Sequence, residues 1–193
     1  MSKVSKRSLK TTKSKFDLWL PWIGGAVVTV IGILVIIAVA NQTRRDAAIE
    51  GLLTYGSPVQ EHTSDPVTYE QTPPVGGPHD PVWQNCGVYD QPIRSENAVH
   101  ALEHGAVWIT YRPDLAAEEI ATLRELARGR RYLVLSPYPE LPTAVAASAW
   151  GVQVQVDSAA DERLSTFISR YMQGPQTPEP GATCSGGIGT PIG

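Results

Sequence analysis

The chain has 193 residues, two cysteines and a formal net charge of −3, and that charge is unevenly laid out. Eight of its 16 basic residues but only one of its 19 acids precede Asp46, so the 148 residues from there on carry eight arginines, no lysine and a net charge of −10. This sets nucleic acid aside as a partner for the larger part, which has room for one ordinary domain and a linker.

Residues 1–17 form a basic tail with Lys3, Lys6, Arg7, Lys10, Lys13 and Lys15. Residues 18–40, LWLPWIGGAVVTVIGILVIIAVA, carry no charge. At 1.5 Å per residue they reach roughly 34 Å as a helix, enough for a hydrocarbon core of about 30 Å. Ala38-Val39-Ala40 mimics a signal-peptide cleavage site, but the apolar run is longer than a signal peptide needs. Six cations before the span against Arg44 and Arg45 after it put the N-terminus in the cytoplasm and the C-terminal part outside, with the lipid bilayer as the first partner. Gly24-Gly25 and Gly32 offer small residues on which a membrane-protein partner could pack.

Residues 41–82 read as a juxtamembrane helix, ended near Gly56-Ser57-Pro58, and a Pro-rich arm that is neither helix nor central strand. The folded domain is placed at 83–174. Ser95 is the expected N-cap of a short helix, 96–104, stopped by Gly105. Residues 106–111 (AVWITY) and 132–135 read as strands. Between them lies a helix from Leu115 to Ala127, with Leu115, Ile120, Leu123 and Leu126 facing inward. Strand, helix, strand is the form of a parallel crossover. Residues 144–156 give one or two strands, and Ser158 to Gly174 a last helix. Residues 175–193 are a Pro/Gly-rich tail. The expected fold is a single compact extracytoplasmic α/β or α+β domain, preceded by one transmembrane helix. Outside the membrane Cys86 and Cys184 are free to pair as a disulfide.

The chemistry concentrates in His100-Ala-Leu-Glu-His104. Two imidazoles four residues apart share one helical face, and His79 sits shortly upstream in Gly-Pro-His-Asp. Three imidazoles suit copper or zinc, and Met172 is a soft ligand that would tilt the choice to copper. Glu103 and Asp80 fit as supporting groups around the ligands. Two bland readings compete. A histidine at a helix C-terminus is favoured without metal, and Trp83, Tyr89, Trp108 and Tyr111 read as core. His-x-x-Glu-His also matches the inverted zinc-peptidase signature, but the helix stops directly after the second histidine and the domain is small for a peptidase cleft. The reading is therefore non-enzymatic, a metal-handling protein. The alternative is an accessory or interaction subunit of a membrane complex with structural histidines.

Three stretches resemble a catalogued family. Pro73-Pro74-Val75-Gly76-Gly77-Pro78-His79-Asp80, Cys86-Gly87-Val88-Tyr89-Asp90 and Val99-His100-Ala101-Leu102-Glu103-His104-Gly105-Ala106-Val107 are similar to bacterial membrane-anchored proteins of domain-of-unknown-function family 3105. The segment 174–181, GPQTPEPG, is similar to that family's C-terminal signature. The resemblance implies a basic tail, one span and an outer domain. It implies no activity. Gly77 stands where the family usually has a small or hydroxyl residue, which leaves His79 in place.

Overall fold

The computed structural model describes residues 30–37 and 49–192. The chain divides into two units, 1–43 and 44–193. In the first, residues 30–37 are helical (α1), and their seven large apolar side chains are all exposed. The rest of the expected span at 18–40 lies outside the described residues. Among the described residues no helix is long and apolar enough to cross a membrane.

The second unit is built on a mixed sheet of six strands. They are β1 (Leu53–Thr54), β2 (Gly87–Val88), β3 (Val107–Tyr111), β4 (Leu133–Pro137), β5 (Val145–Ala149) and β6 (Val152–Val156), in the spatial order β1-β6-β5-β3-β4-β2. Three helices pack on it: α2 (Ser95–Glu103), α3 (Ala117–Ala127) and α4 (Glu162–Tyr171). The α+β description holds. β3, α3 and β4 form the expected crossover, with the two strands parallel and Val107 opposite Leu133. β5 and β6 are two antiparallel strands of one hairpin.

Side chains alternate across the sheet and so build two cores. On one face Ile109, Leu135, Val145 and Val154 meet Leu123 of α3 and Leu164 and Phe167 of α4. On the other face Trp108, Val134 and Trp150 meet Ala98, Val99, Ala101 and Leu102 of α2. The apolar stripe expected on α3 faces the first core, with Leu123 fully buried and Leu115, Ile120 and Leu126 partly so.

Several boundaries differ from the sequence reading, four of them for a clear local reason. Residues 49–55 are not helix: Leu52 N–H donates to Ile49 O in a turn, and Leu53 and Thr54 pair with β6 as an edge strand. Arg94, not Ser95, occupies the N-cap of α2, and no side chain caps it. The polar groups there turn to the arm instead. Arg94 pairs with Asp80 at 2.7 Å and Glu96 at 3.1 Å, and Glu96 Oε1 accepts from Val67 N–H. Asp161 caps α4 by accepting from Arg163 N–H, while Ser158 forms a turn three residues earlier. α4 ends at Tyr171, and it is Gln173 that takes the left-handed conformation there. The alternation of β6 also conceals a finding, because Gln153 is fully buried. The Pro-rich arm covers that face, and Gln153 Nε2 donates to Pro73 O and Ser148 Oγ.

Gly105 ends α2 as the sequence predicts. Its N–H donates to Leu102 O and that of Ala106 to Ala101 O, the pair of bonds of a Schellman motif, and its φ is +91°. A Cβ here would run into the Gln173 side chain and lie 2.9 Å from Thr177 Cγ2. Gly105→Ala is therefore expected to cost at least about 1–2 kcal/mol from the left-handed conformation alone, read as a lower denaturation midpoint. An unchanged midpoint would mean that the tail moves aside freely.

Candidate metal centre

α2 presents His100, Glu103 and His104 on one face, as spacings of three and four residues require. The arm supplies the rest. Asp80 N–H donates to Glu96 O and Gln84 N–H to Asn97 O, which ties the chain after His79 along the helix. An isolated parallel bridge joins His62 to His79, with His79 N–H on Glu61 O at 2.8 Å and Thr63 N–H on His79 O at 2.7 Å. Two segments without long strands thus deliver two imidazoles to one spot.

The donor atoms of His62, His79, His100 and Glu103 all lie within 4.8 Å of one another. Glu103 Oε2 is 2.9 Å from His79 Nε2 and 3.7 Å from His62 Nε2. His79, His100 and Glu103 are buried, whereas the His62 side chain is 47% exposed and opens the group to solvent. Four donors about 2.0–2.1 Å from one ion stand roughly 3.4 Å apart in a tetrahedron. The two measured separations bracket that figure, and the exposed His62 is the side chain free to close the wider ones.

Two backbone carbonyls fix which nitrogen faces the group. His79 Nδ1 is 2.7 Å from Gly77 O, and His100 Nδ1 is 2.6 Å from Asp80 O. A carbonyl oxygen only accepts, so each Nδ1 carries the proton and each Nε2 keeps a lone pair. At His79 that lone pair points at a carboxylate oxygen, another acceptor. A cation must sit between them, either a second proton on His79 or a metal ion. Burial opposes charge on His79, but the Glu103 carboxylate and the Gly77 carbonyl outweigh it and raise its pKa above the ordinary value. Burial pushes the Glu103 carboxyl up, but His79, with His100 and His62 behind it, holds it below the ordinary value. Burial lowers the pKa of His100; the Asp80 carbonyl opposes this and the neighbouring imidazoles add to it. His100 is thus kept in the neutral form a metal needs.

Of the residues singled out in the sequence, His79 and His100 are brought together. Glu103, expected in a supporting role, contributes a carboxylate oxygen to the group itself. Asp80 supports through its backbone oxygen, while its carboxylate accepts from Val82 N–H and from Arg94. The His104 ring lies 4.6 Å from that of His100, but His104 is not among the four; its Nε2 faces Glu179 Oε2 at 3.5 Å. Met172 packs against the α3–α4 core, so the preference for copper that rested on it loses its ground. His62 went unnoticed in the sequence. The signal available was the histidine count: four in the chain, with only this one unassigned. Cys86 and Cys184 form the expected disulfide and are not available as ligands.

The peptidase-like reading of His-x-x-Glu-His finds no matching geometry. That signature uses both histidines on one ion and keeps the glutamate as a base. Here Glu103 contacts His79, His100 belongs to the four-residue group, and His104 faces Glu179 instead.

Residues 60–186 match a family described as a protein of unknown function (DUF3105). No curated protein and no solved structure matches the chain.

Proposed function

We propose that this chain, which belongs to the DUF3105 family, is a metal-binding protein whose outer domain holds one divalent transition ion on His62, His79, His100 and Glu103. The observation that carries this reading is the lone-pair conflict at 2.9 Å between His79 Nε2 and Glu103 Oε2, with the tautomer of His79 fixed by Gly77 O. Three imidazole nitrogens and one carboxylate oxygen form a borderline donor set without sulfur, which suits zinc or copper(II) and disfavours copper(I). Zinc is the first choice because a closed tetrahedral set is its usual structural site. We further propose that residues 18–40 anchor the domain to a membrane with the domain outside. The support is the uncharged run itself, the basic tail before it, the exposed apolar face of residues 30–37 and the disulfide.

The test is metal analysis of full-length protein in mild detergent, after chelation and reloading with zinc or copper. Wild type should retain zinc and His100→Ala should lose it. Zinc at 100 times its Kd should also raise wild-type stability by about 2.7 kcal/mol. No retained metal and no thermal shift would leave His79 and Glu103 as a structural ion pair and the histidines as packing groups. That is the accessory-subunit reading, supported by the raised pKa of His79, which favours a proton in that place. A protein that washes off membranes in alkaline carbonate would sink the anchor.

A further inference from the structure

Away from the histidines, the fold gathers charge of the opposite sign to that of the domain as a whole. α3 ends with Arg124 in its last turn and Arg128 at its C-cap. Gly129 then turns the chain in the left-handed conformation, with φ +71°, and Arg130 and Arg131 lead into β4. β2 runs parallel to β4, and the C-terminal tail comes back to it: Cys86 N–H donates to Cys184 O and Ile192 N–H to Val88 O, both at 2.8 Å. These three pieces border an open cavity of about 470 Å³, within the roughly 300–1,000 Å³ of small-molecule sites. All four arginines line it, Val88, Ala127 and Ile192 form its apolar part, and no acidic residue is among its lining. Half of the eight arginines that follow Asp46 thus stand around one space, in a stretch whose net charge is −10. Local needs account for two of them. Arg128 pairs with Glu125, and Arg130 Nη1 donates to Leu126 O, one of the carbonyls left open at the end of the helix. Among the described residues no carboxylate pairs with Arg124 or Arg131, and both are exposed. Like charges on one concave wall focus a positive field into it, which draws in an anion.

We propose that this cavity binds a phosphate monoester whose organic part is apolar. Charge selects the head group. A carboxylate has one charge and two oxygens, which a single guanidinium fork satisfies. A phosphate monoester carries about 1.5 to 2 negative charges at pH 7 and three acceptor oxygens. It therefore takes more than one guanidinium, and Arg124 and Arg131 are the two that lack a carboxylate. The apolar lining sets the rest of the ligand: the side chains of Val88, Ala127 and Ile192 offer no hydrogen bond and cover a hydrocarbon group. A soluble phosphate monoester and the head of phosphatidic acid present this same chemistry. None of the lining residues belongs to the histidine group, so the site stands independently of any metal.

The probe is phenyl phosphate, titrated calorimetrically into full-length protein in a neutral detergent, with inorganic phosphate and benzyl alcohol beside it. Phenyl phosphate should bind saturably, inorganic phosphate more weakly, and benzyl alcohol not at all. Arg124→Gln combined with Arg131→Gln should weaken phenyl phosphate by at least about tenfold, the loss expected for charge-assisted hydrogen bonds. Both side chains are exposed, so the melting temperature of the unliganded protein should stay at the wild-type value. Arg112→Gln, an exposed arginine outside the cavity, should leave binding unchanged. No saturable binding by wild type, or equal binding by the double variant, overturns the site. Inorganic phosphate bound as tightly as the ester overturns the apolar part of the ligand. The same titration in lipid nanodiscs separates the two sources, and either result upholds the site. Weaker binding with phosphatidic acid than with phosphatidylglycerol, which brings charge of the same sign, makes the bilayer the source; equal binding makes it a soluble ester.

Discussion

Full-length protein carrying Cys86→Ser and Cys184→Ser will be less stable than the oxidised wild type by about 4–5 kcal/mol, as expected for releasing a closed loop of this length. The two cysteines are 98 residues apart in sequence, and the bond removes the freedom of that long loop to open in the unfolded state. The native state gives little back when the bond is absent. Cys86 N–H donates to Cys184 O, Asn85 binds the main chain of Gly187 and Gly189 through its side chain, and Ile188 N–H donates to Trp83 O. These contacts hold the tail in place without the covalent link, so the loss is expected chiefly from the unfolded side. Against a typical total of about 5–15 kcal/mol it is a large fraction. Denaturant titration of both proteins measures it. A difference below about 1 kcal/mol would mean that the unfolded chain already keeps its tail near residue 86.

Glu103→Gln is expected to weaken metal binding by more than the 10–100-fold typical of supporting residues, because it neutralises the one anionic donor of the group. The fold should survive it. A glutamine amide donates a hydrogen bond to the His79 Nε2 lone pair, which replaces the charged contact with a neutral one of the same shape. The metal-free proteins should also differ in pH dependence. Glu103 has a depressed pKa, so its contribution is present above the ordinary value of 4.5 and is lost as pH falls through the folded value. His79 has a raised pKa, so its contribution is present below the ordinary value of 6.5 and is lost as pH rises through the folded value. The stability gap between wild type and Glu103→Gln should therefore peak between about pH 4.5 and 6.5 and narrow on either side. Urea midpoints across that range check it, and a gap independent of pH would refute the charged pair.

What the sequence made legible was whatever depends on neighbours along the chain. β3, α3 and β4 follow from periodicity, Gly105 from the need for a left-handed residue, and the sharing of one face by His100 and His104 from helical spacing. What it did not make legible depends on the arm and the tail. His62 reaches the group only because an irregular segment pairs with another at His79. Glu103 becomes a donor because that pairing sets His79 2.9 Å from it. Gln153 is buried because prolines cover it. Met172 looked available because its chemistry was right, yet α4 turns it toward the opposite core. Proline-rich stretches have no periodicity from which a partner can be inferred, so His62, which one carries, and Gln153, which one covers, were missed.

The return of the tail to residue 86 also has a consequence for biosynthesis. Ribosomes deliver roughly 5–20 residues per second, so Cys86 waits on the order of 5–20 s before Cys184 is made. Thr183, whose carbonyl orients His104, arrives in the same moment. Until then the α2 face lacks its cover, and the histidines are present without their full frame. Pairing of Cys86 with Cys184 and docking of the tail on α2 therefore come after most of the domain has been synthesised, which makes the closing of this face a late event in maturation.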